Sequence, residues 1–217
     1  ATDPLDLAFI LPDFLFYLSA GGYLAITLIP IMSEKKKSEL NNYFLSILYG
    51  MSLIFVIFSL ITYSFRFQFA ELLGVTSLDF FVEVFTPIIF SQVFFFIGAI
   101  LMSYQYFYDN FKYAALAPLV YNSTIIFFGW INSSTPEGTI KGFAIGTLIG
   151  SVLGHFLIQI YGAKRSGLSF YLISPKFIHI KNYITISLPL ILGQSIAVID
   201  DQLFRIFGSF LAAGSIA

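Results

Sequence analysis

Asp200, Asp201 and Arg205 stand together inside an otherwise apolar stretch, residues 183–211, of this 217-residue chain. A charge near the middle of a bilayer costs roughly 2.5–3.5 kcal/mol on insertion scales. Asp201 and Arg205 are four residues apart, so on a helix they share a face and can pair. Gln194, seven residues before Asp201, falls on the same stripe. Pairing lowers the cost of burying these groups without explaining their presence. Ionisable residues within membrane spans face a bundle interior or wet cavity and mark substrate or ion paths. The cluster therefore reads as cavity-lining. The alternative is a structural ion pair, or an arginine snorkelling from the nearer end of its span. Asp13, beside Pro12 in the first apolar stretch, is a residue of the same kind.

Six apolar stretches must position these groups: residues 5–32, 43–69, 80–106, 114–132, 140–163 and 183–211. A helix needs about 20 apolar residues to cross roughly 30 Å of hydrocarbon. Backbone polar groups find no water there, so each stretch is expected to be helical. Continuous apolar runs, without alternation, argue against a β-barrel. The chain is 58% hydrophobic and 11% charged, too few charges to cover the surface of a soluble domain. The expected fold is all-α: a polytopic transmembrane bundle of six spans. A net charge of −1 gives no reason to expect nucleic acid as a partner. With no cysteine, disulfides and thiolate metal sites are excluded. His155 and His179 are not spaced as a metal pair, and no phosphate-binding Gly-Lys-Ser/Thr loop occurs. Nothing points to an enzyme, a metal or a cofactor.

Orientation follows from the gaps. Lys35, Lys36 and Lys37 fall in the first, Lys112 in the third, and Lys164, Arg165, Lys176 and Lys181 in the fifth, which is eight of the eleven basic residues. Short loops rich in Lys and Arg stay on the cytoplasmic side, so the odd gaps are expected there and both ends outside. Trp130, Tyr121, Tyr161 and Tyr183 lie near span ends, where amphipathic rings favour the interface. Gly142, Gly146, Gly150 and Gly154, four apart, predict a face on which a neighbouring backbone approaches closely. His155 and Gln159, one turn apart, are placed to hydrogen-bond across helices. Pro12, Pro30, Pro87, Pro118 and Pro189 lie within spans and tend to kink them, as in proteins that line cavities or change shape. Ala1 in place of an initiator Met, no signal peptide, and the small-residue run 212–217 lead us to expect an internal piece of a longer protein.

Several segments together resemble the lipid II flippase family (MurJ, also called MviN) of the multidrug/oligosaccharidyl-lipid/polysaccharide exporter superfamily. Ala1-Thr2-Asp3 with Ala8-Phe9 and Pro12 resembles the family's entry into its second helix. Gly22, Pro30-Ile31 and Ser33-Glu34 resemble that helix's end. Ala115-Leu116-Ala117-Pro118 with Asn122 resembles the fifth helix, and Ser187-Leu188-Pro189, Gly193, Ser209-Phe210-Leu211 and Gly214-Ser215-Ile216 the seventh. The resemblance runs in order along the whole chain and implies helices two to seven of fourteen, about the N-terminal lobe.

It further implies export of a lipid-linked, pyrophosphate-bearing peptidoglycan precursor across the bacterial cytoplasmic membrane by alternating access. Coupling would be to a monovalent cation or the membrane potential, with cell-wall synthesis proteins as further partners. Asp3 matches a family aspartate, and Asn122 enters the cavity set with Asp13, Gln194, Asp200, Asp201 and Arg205. The chain departs from the family at Phe16, which aligns with a cavity arginine, and at Gly21, where an acidic residue is expected. Arg205 is then the cation left within these spans to meet a pyrophosphate. The alternatives are an exporter of another lipid-linked oligosaccharide of O-antigen or capsule type, a cation-coupled drug antiporter with Asp200 and Asp201 as its ion site, or a membrane scaffold that transports nothing. For the topology, a cysteine introduced at Lys36 should be shielded from an impermeant reagent added outside, and one at Glu137 should react. The opposite labelling pattern would overturn the orientation.

Overall fold

The computed structural model describes residues 5–10, 23–190 and 193, and among these there is helix and no strand. Residues 5–10 are helical, followed in chain order by α1 (Tyr23–Ser33), α2 (Lys37–Ser64), α3 (Arg66–Leu72), α4 (Leu78–Phe107), α5 (Lys112–Ile131), α6 (Pro136–Arg165) and α7, whose described part is 177–190. Four of them, α2, α4, α5 and α6, are long and apolar enough to cross a membrane. Residues 11–22 and 194–211 of the first and last predicted spans lie outside the described residues, together with Ile191 and Leu192.

Helix limits differ from the apolar limits for physical reasons. α2 begins six residues before the stretch predicted from Tyr43, because Lys37–Asn42 are polar helix outside the hydrocarbon. α7 likewise begins by residue 177. At its other end α2 stops at Ser64, where a helix through residue 69 was expected. Arg66 causes the break. Its guanidinium donates to the Tyr63 carbonyl at 2.9 Å and lies over the Tyr63 and Phe67 rings. A cation on the last carbonyls is a favourable helix terminator, and α3 starts afresh beyond it. α6 has a complete start signal: Thr135 accepts from the Gly138 N–H at 3.0 Å, Pro136 occupies the first turn, and Glu137 faces the positive end of the helix dipole.

α4 is the most enclosed span and joins two apolar clusters. Towards one end Phe81, Phe85, Ile88 and Ile89 pack with Leu7, Ala8, Ile10 and Ala144. Towards the other Phe96, Ile100 and Tyr104 pack with Leu28, Met32, Phe44 and Tyr183. The connections that carry the eight cations gather at this second end. Asn41 bonds both backbone groups of Ser169, and Asn110 donates to Ser166.

α6 holds the bundle together through backbone-close contacts. Its glycines face α5: a methyl at Gly146 would stand 2.8 Å from Ile125 Cα, and one at Gly154 2.7 Å from the Ala117 carbonyl. The predicted close face is therefore present. A spacing of four overshoots the 3.6-residue turn by about 40° per step, and residues Ser151–Leu157 are wound as π-helix, whose wider turn reduces that drift. Gln159 supports the segment, donating to the carbonyls of Gly154 and Tyr113 and accepting from Gln105 at 2.7 Å. On the other side Gly98 of α4 sits against the His155 backbone. Overfilling such a contact costs on the order of 1–3 kcal/mol. Gly154→Leu should lower the thermal midpoint of the detergent-purified protein, while Leu172→Ala at a 96% exposed position should not; equal midpoints would refute the packing role.

Candidate functional site

Of the residues singled out for cavity chemistry, Asp3, Asp13, Gln194, Asp200, Asp201 and Arg205 lie outside the described residues, as do Phe16 and Gly21. Asn122 is described. It stands on the exposed side of α5, and α5 packs along α6. Six of the seven candidates thus belong to just two chain segments, the one ending in α1 and the one beginning with α7. Those two segments meet.

Their meeting point is made of hydroxyls. Ser187 of α7 donates to Thr27 Oγ1 of α1 at 3.1 Å, with both side chains buried. Tyr183, one turn earlier and 1% exposed, brings its hydroxyl beside the same two residues without a hydrogen bond of good geometry among the described residues. The rest of α7 touches the bundle through a narrow stripe. Ile180 lies over Gly50, where a side chain on α2 would block it, and the His179 ring packs on Tyr43 at 4.8 Å. Residues 181, 182, 184–186 and 188–190 are exposed.

Among the described residues the extended segment before α7 is hydrogen-bonded to α2. Besides the paired bonds from Asn41 to Ser169, Tyr171 donates to Asn42 at 2.6 Å, Tyr49 to the Tyr171 carbonyl at 3.1 Å, and the Lys176 N–H to Ser46 Oγ at 2.7 Å. Residues 41/42, 46 and 49 follow helical spacing on one face of α2. The sequence carried no warning of this strap, since isolated Asn, Ser and Tyr residues at a helix start usually read as solvated.

Other polar residues are structural. Gln159 bonds across helices as expected, whereas His155 packs between the rings of Phe95 and Tyr121, at 4.2 and 5.7 Å. A groove of about 460 Å³ between α5 and α6 is lined by Leu119, Val120, Phe127, Phe128, Ile149 and Leu153, with Ser123 and Thr124. Such a lining suits hydrocarbon chains and not an anionic headgroup. No group of three His, Cys, Asp or Glu fit for a metal occurs among the described residues.

Long apolar helices, backbone-close packing and small buried polar contacts define a polytopic α-helical membrane protein. The family described as lipid II flippase MurJ matches residues 1–217. A lipid II flippase MurJ of Thermosipho africanus (strain TCF52B) is 30% identical over 160 residues, 72% of this chain and 33% of that protein. A solved structure of lipid II flippase MurJ in an inward closed conformation superposes with a TM-score of 0.79 at 25% identity, covering 99% of this chain and 46% of that one. The chain belongs to the lipid II flippase MurJ family, a family of bacterial inner-membrane flippases and not of enzymes. It spans less than half the length of these relatives.

His179 gives the α7 contact a pH dependence. Burial first, then the Lys176 and Lys35 charges, hold its imidazole below the ordinary value of 6.5, and its Nδ1 has no partner among the described residues. The docked state thus favours neutral imidazole. The neutral ring's contribution to this contact is fully present above pH 6.5 and is lost as pH falls below it, because a ring freed from the contact takes up a proton more readily. Hydrogen exchange at the start of α7, extrapolated to a common intrinsic rate, should be less protected at pH 5.5 than at pH 7.5. His179→Phe should remove the difference, and a difference that survives the substitution would assign it elsewhere.

Proposed function

We propose that this chain works within a lipid II flippase that moves the lipid-linked, pyrophosphate-bearing peptidoglycan precursor across the bacterial cytoplasmic membrane by alternating access. The observation that carries the reading is the family match along all 217 residues. The physics agrees: an anionic sugar headgroup cannot cross about 30 Å of hydrocarbon unaided, and needs a polar path while its lipid tail stays in the bilayer.

In this reading the path runs beside the segments that end in α1 and begin with α7. Arg205 is the cation that meets the pyrophosphate, since Phe16 occupies the position of the family's second-helix arginine. In this reading Asp201, four residues earlier in the chain, is the counter-ion of Arg205 when the path is empty. Asp200 and Asp201 are also the groups through which a monovalent cation could couple, and the membrane potential would act on the same charges. The end bearing Lys35–Lys37, Lys112, Lys164, Arg165, Lys176 and Lys181 faces the cytoplasm. Asp3, Asp13, Gln194 and Asn122 are secondary candidates for the polar lining, and cell-wall synthesis proteins are candidate partners.

Depleting the full-length protein in its host should reduce lipid II accessible on the outer leaflet, measured by a lytic enzyme added to intact spheroplasts. The native protein should restore it, and an equally expressed Arg205→Ala variant should not. Unchanged outer-leaflet lipid II after depletion would reject the function. Full restoration by Arg205→Ala would reject the role of that arginine alone.

A further inference from the structure

We propose that Thr27, Tyr183 and Ser187 form a latch that closes the basic end of the path between α1 and α7 and parts once in every transport cycle. The inference rests on the function proposed above and adds to it the residues that gate one end.

Three observations carry it. The first is the chemistry of the contact. The α5–α6 interface is mostly glycine against backbone, with the Gln159 bond to the Tyr113 carbonyl as its polar exception. The α1–α7 contact holds three buried hydroxyls: Ser187 is bonded to Thr27, and Tyr183 makes no bond of good geometry among the described residues. Water entering this seam would give Tyr183 a partner and replace the Ser187–Thr27 bond, so opening it exposes groups that water can satisfy. An apolar seam offers no such compensation.

The second is the backbone on either side. Pro30 lies three residues after Thr27 in α1, and Pro189 two residues after Ser187 in α7. Neither proline has an N–H, so the carbonyls of Ile26 and Thr185 each lose the helical donor four residues on. Both helices are therefore weakened next to the contact, where a bend would separate the hydroxyls.

The third is the anchoring of α7. Its lead-in segment is bound to α2 through Asn41, Asn42, Ser46 and Tyr49. Ile180 and His179 also rest on α2, through Gly50 and Tyr43. The start of α7 thus has a fixed pivot on one helix, while its hydrogen-bonded link to α1 is the hydroxyl contact one to two turns further on, beside the apolar cluster that Tyr183 shares with Leu28 and Met32. A helix held at its base and joined weakly above it can swing without losing its place in the bundle.

The test uses the full-length protein, whose residues 1–217 contain no cysteine, with any cysteine elsewhere replaced by serine. In the pair Thr27→Cys/Ser187→Cys, oxidation in membranes should form a disulfide and abolish lipid II delivery to the outer leaflet, and reduction should restore both. Failure of the disulfide to form, or a disulfide with undiminished transport, would overturn the latch. Ser187→Cys alone should be alkylated by N-ethylmaleimide in the native protein. Adding Tyr183→Phe, which removes the unpaired hydroxyl from the closed state, should slow that alkylation. Alkylation only after denaturation, or at a rate indifferent to Tyr183→Phe, would make the contact static packing and overturn the proposal. If the native protein moves no lipid II, the proposed function fails by itself, and the alkylation rates still decide whether the contact opens.

Discussion

Inside a bilayer the hydrophobic effect no longer draws helices together, because lipid tails are as apolar as the side chains they would replace. The bundle meets this constraint mainly through α6. Along one side its glycines let the α5 backbone come close enough for dispersion contacts to add up over the whole length of the pair. Across from them Gly98 admits the His155 backbone, and the Gln105 amide donates to Gln159 where both side chains are buried. The π-wound segment Ser151–Leu157 sits where α6 must serve both partners. It is the local distortion that lets one helix present close faces in two directions.

That rigid block sets off the different character of α7. A single buried stripe, a hydroxyl contact and a polar strap at its base attach it to the bundle, leaving most of its described surface exposed. Ile184, Ile186, Leu188 and Leu190 are apolar and exposed among the described residues. The two kinds of interface respond differently to displacement. Close glycine packing resists shear because every displacement creates voids or overlaps, whereas hydroxyl contacts exchange partners with water at little cost.

The candidate site was legible in the sequence as a set of residue types and hidden as a constellation. Asp200, Asp201 and Arg205 stood out because charge in an apolar stretch is costly, and that cost is a property of composition. Thr27 and Ser187 gave no such signal, since hydroxyls are ordinary in membrane helices and bond to their own backbone, as Thr86 does to Val82 and Thr124 to Val120. Only the pairing of two helices about 160 positions apart along the chain distinguishes them. His155 shows the converse. Its position suggested a hydrogen bond, and the structure adds ring contacts with Phe95 and Tyr121 that the position did not announce.

What the sequence by itself determined follows from the solvent. Long apolar runs in hydrocarbon have to be helices, four-residue glycine spacing has to make a close face, and clustered lysines mark loops that gather at one end. These are local consequences of backbone chemistry and charge. The tertiary structure decided where helices begin and end once they leave the hydrocarbon, as at Lys37 and residue 177, and how Arg66 stops α2 by folding back onto Tyr63. It also decided that α7 is strapped to α2 and that its buried hydroxyls meet Thr27 of α1 beside Leu28 and Met32. Those outcomes depend on contacts between residues far apart in the chain, whose geometry no periodicity encodes.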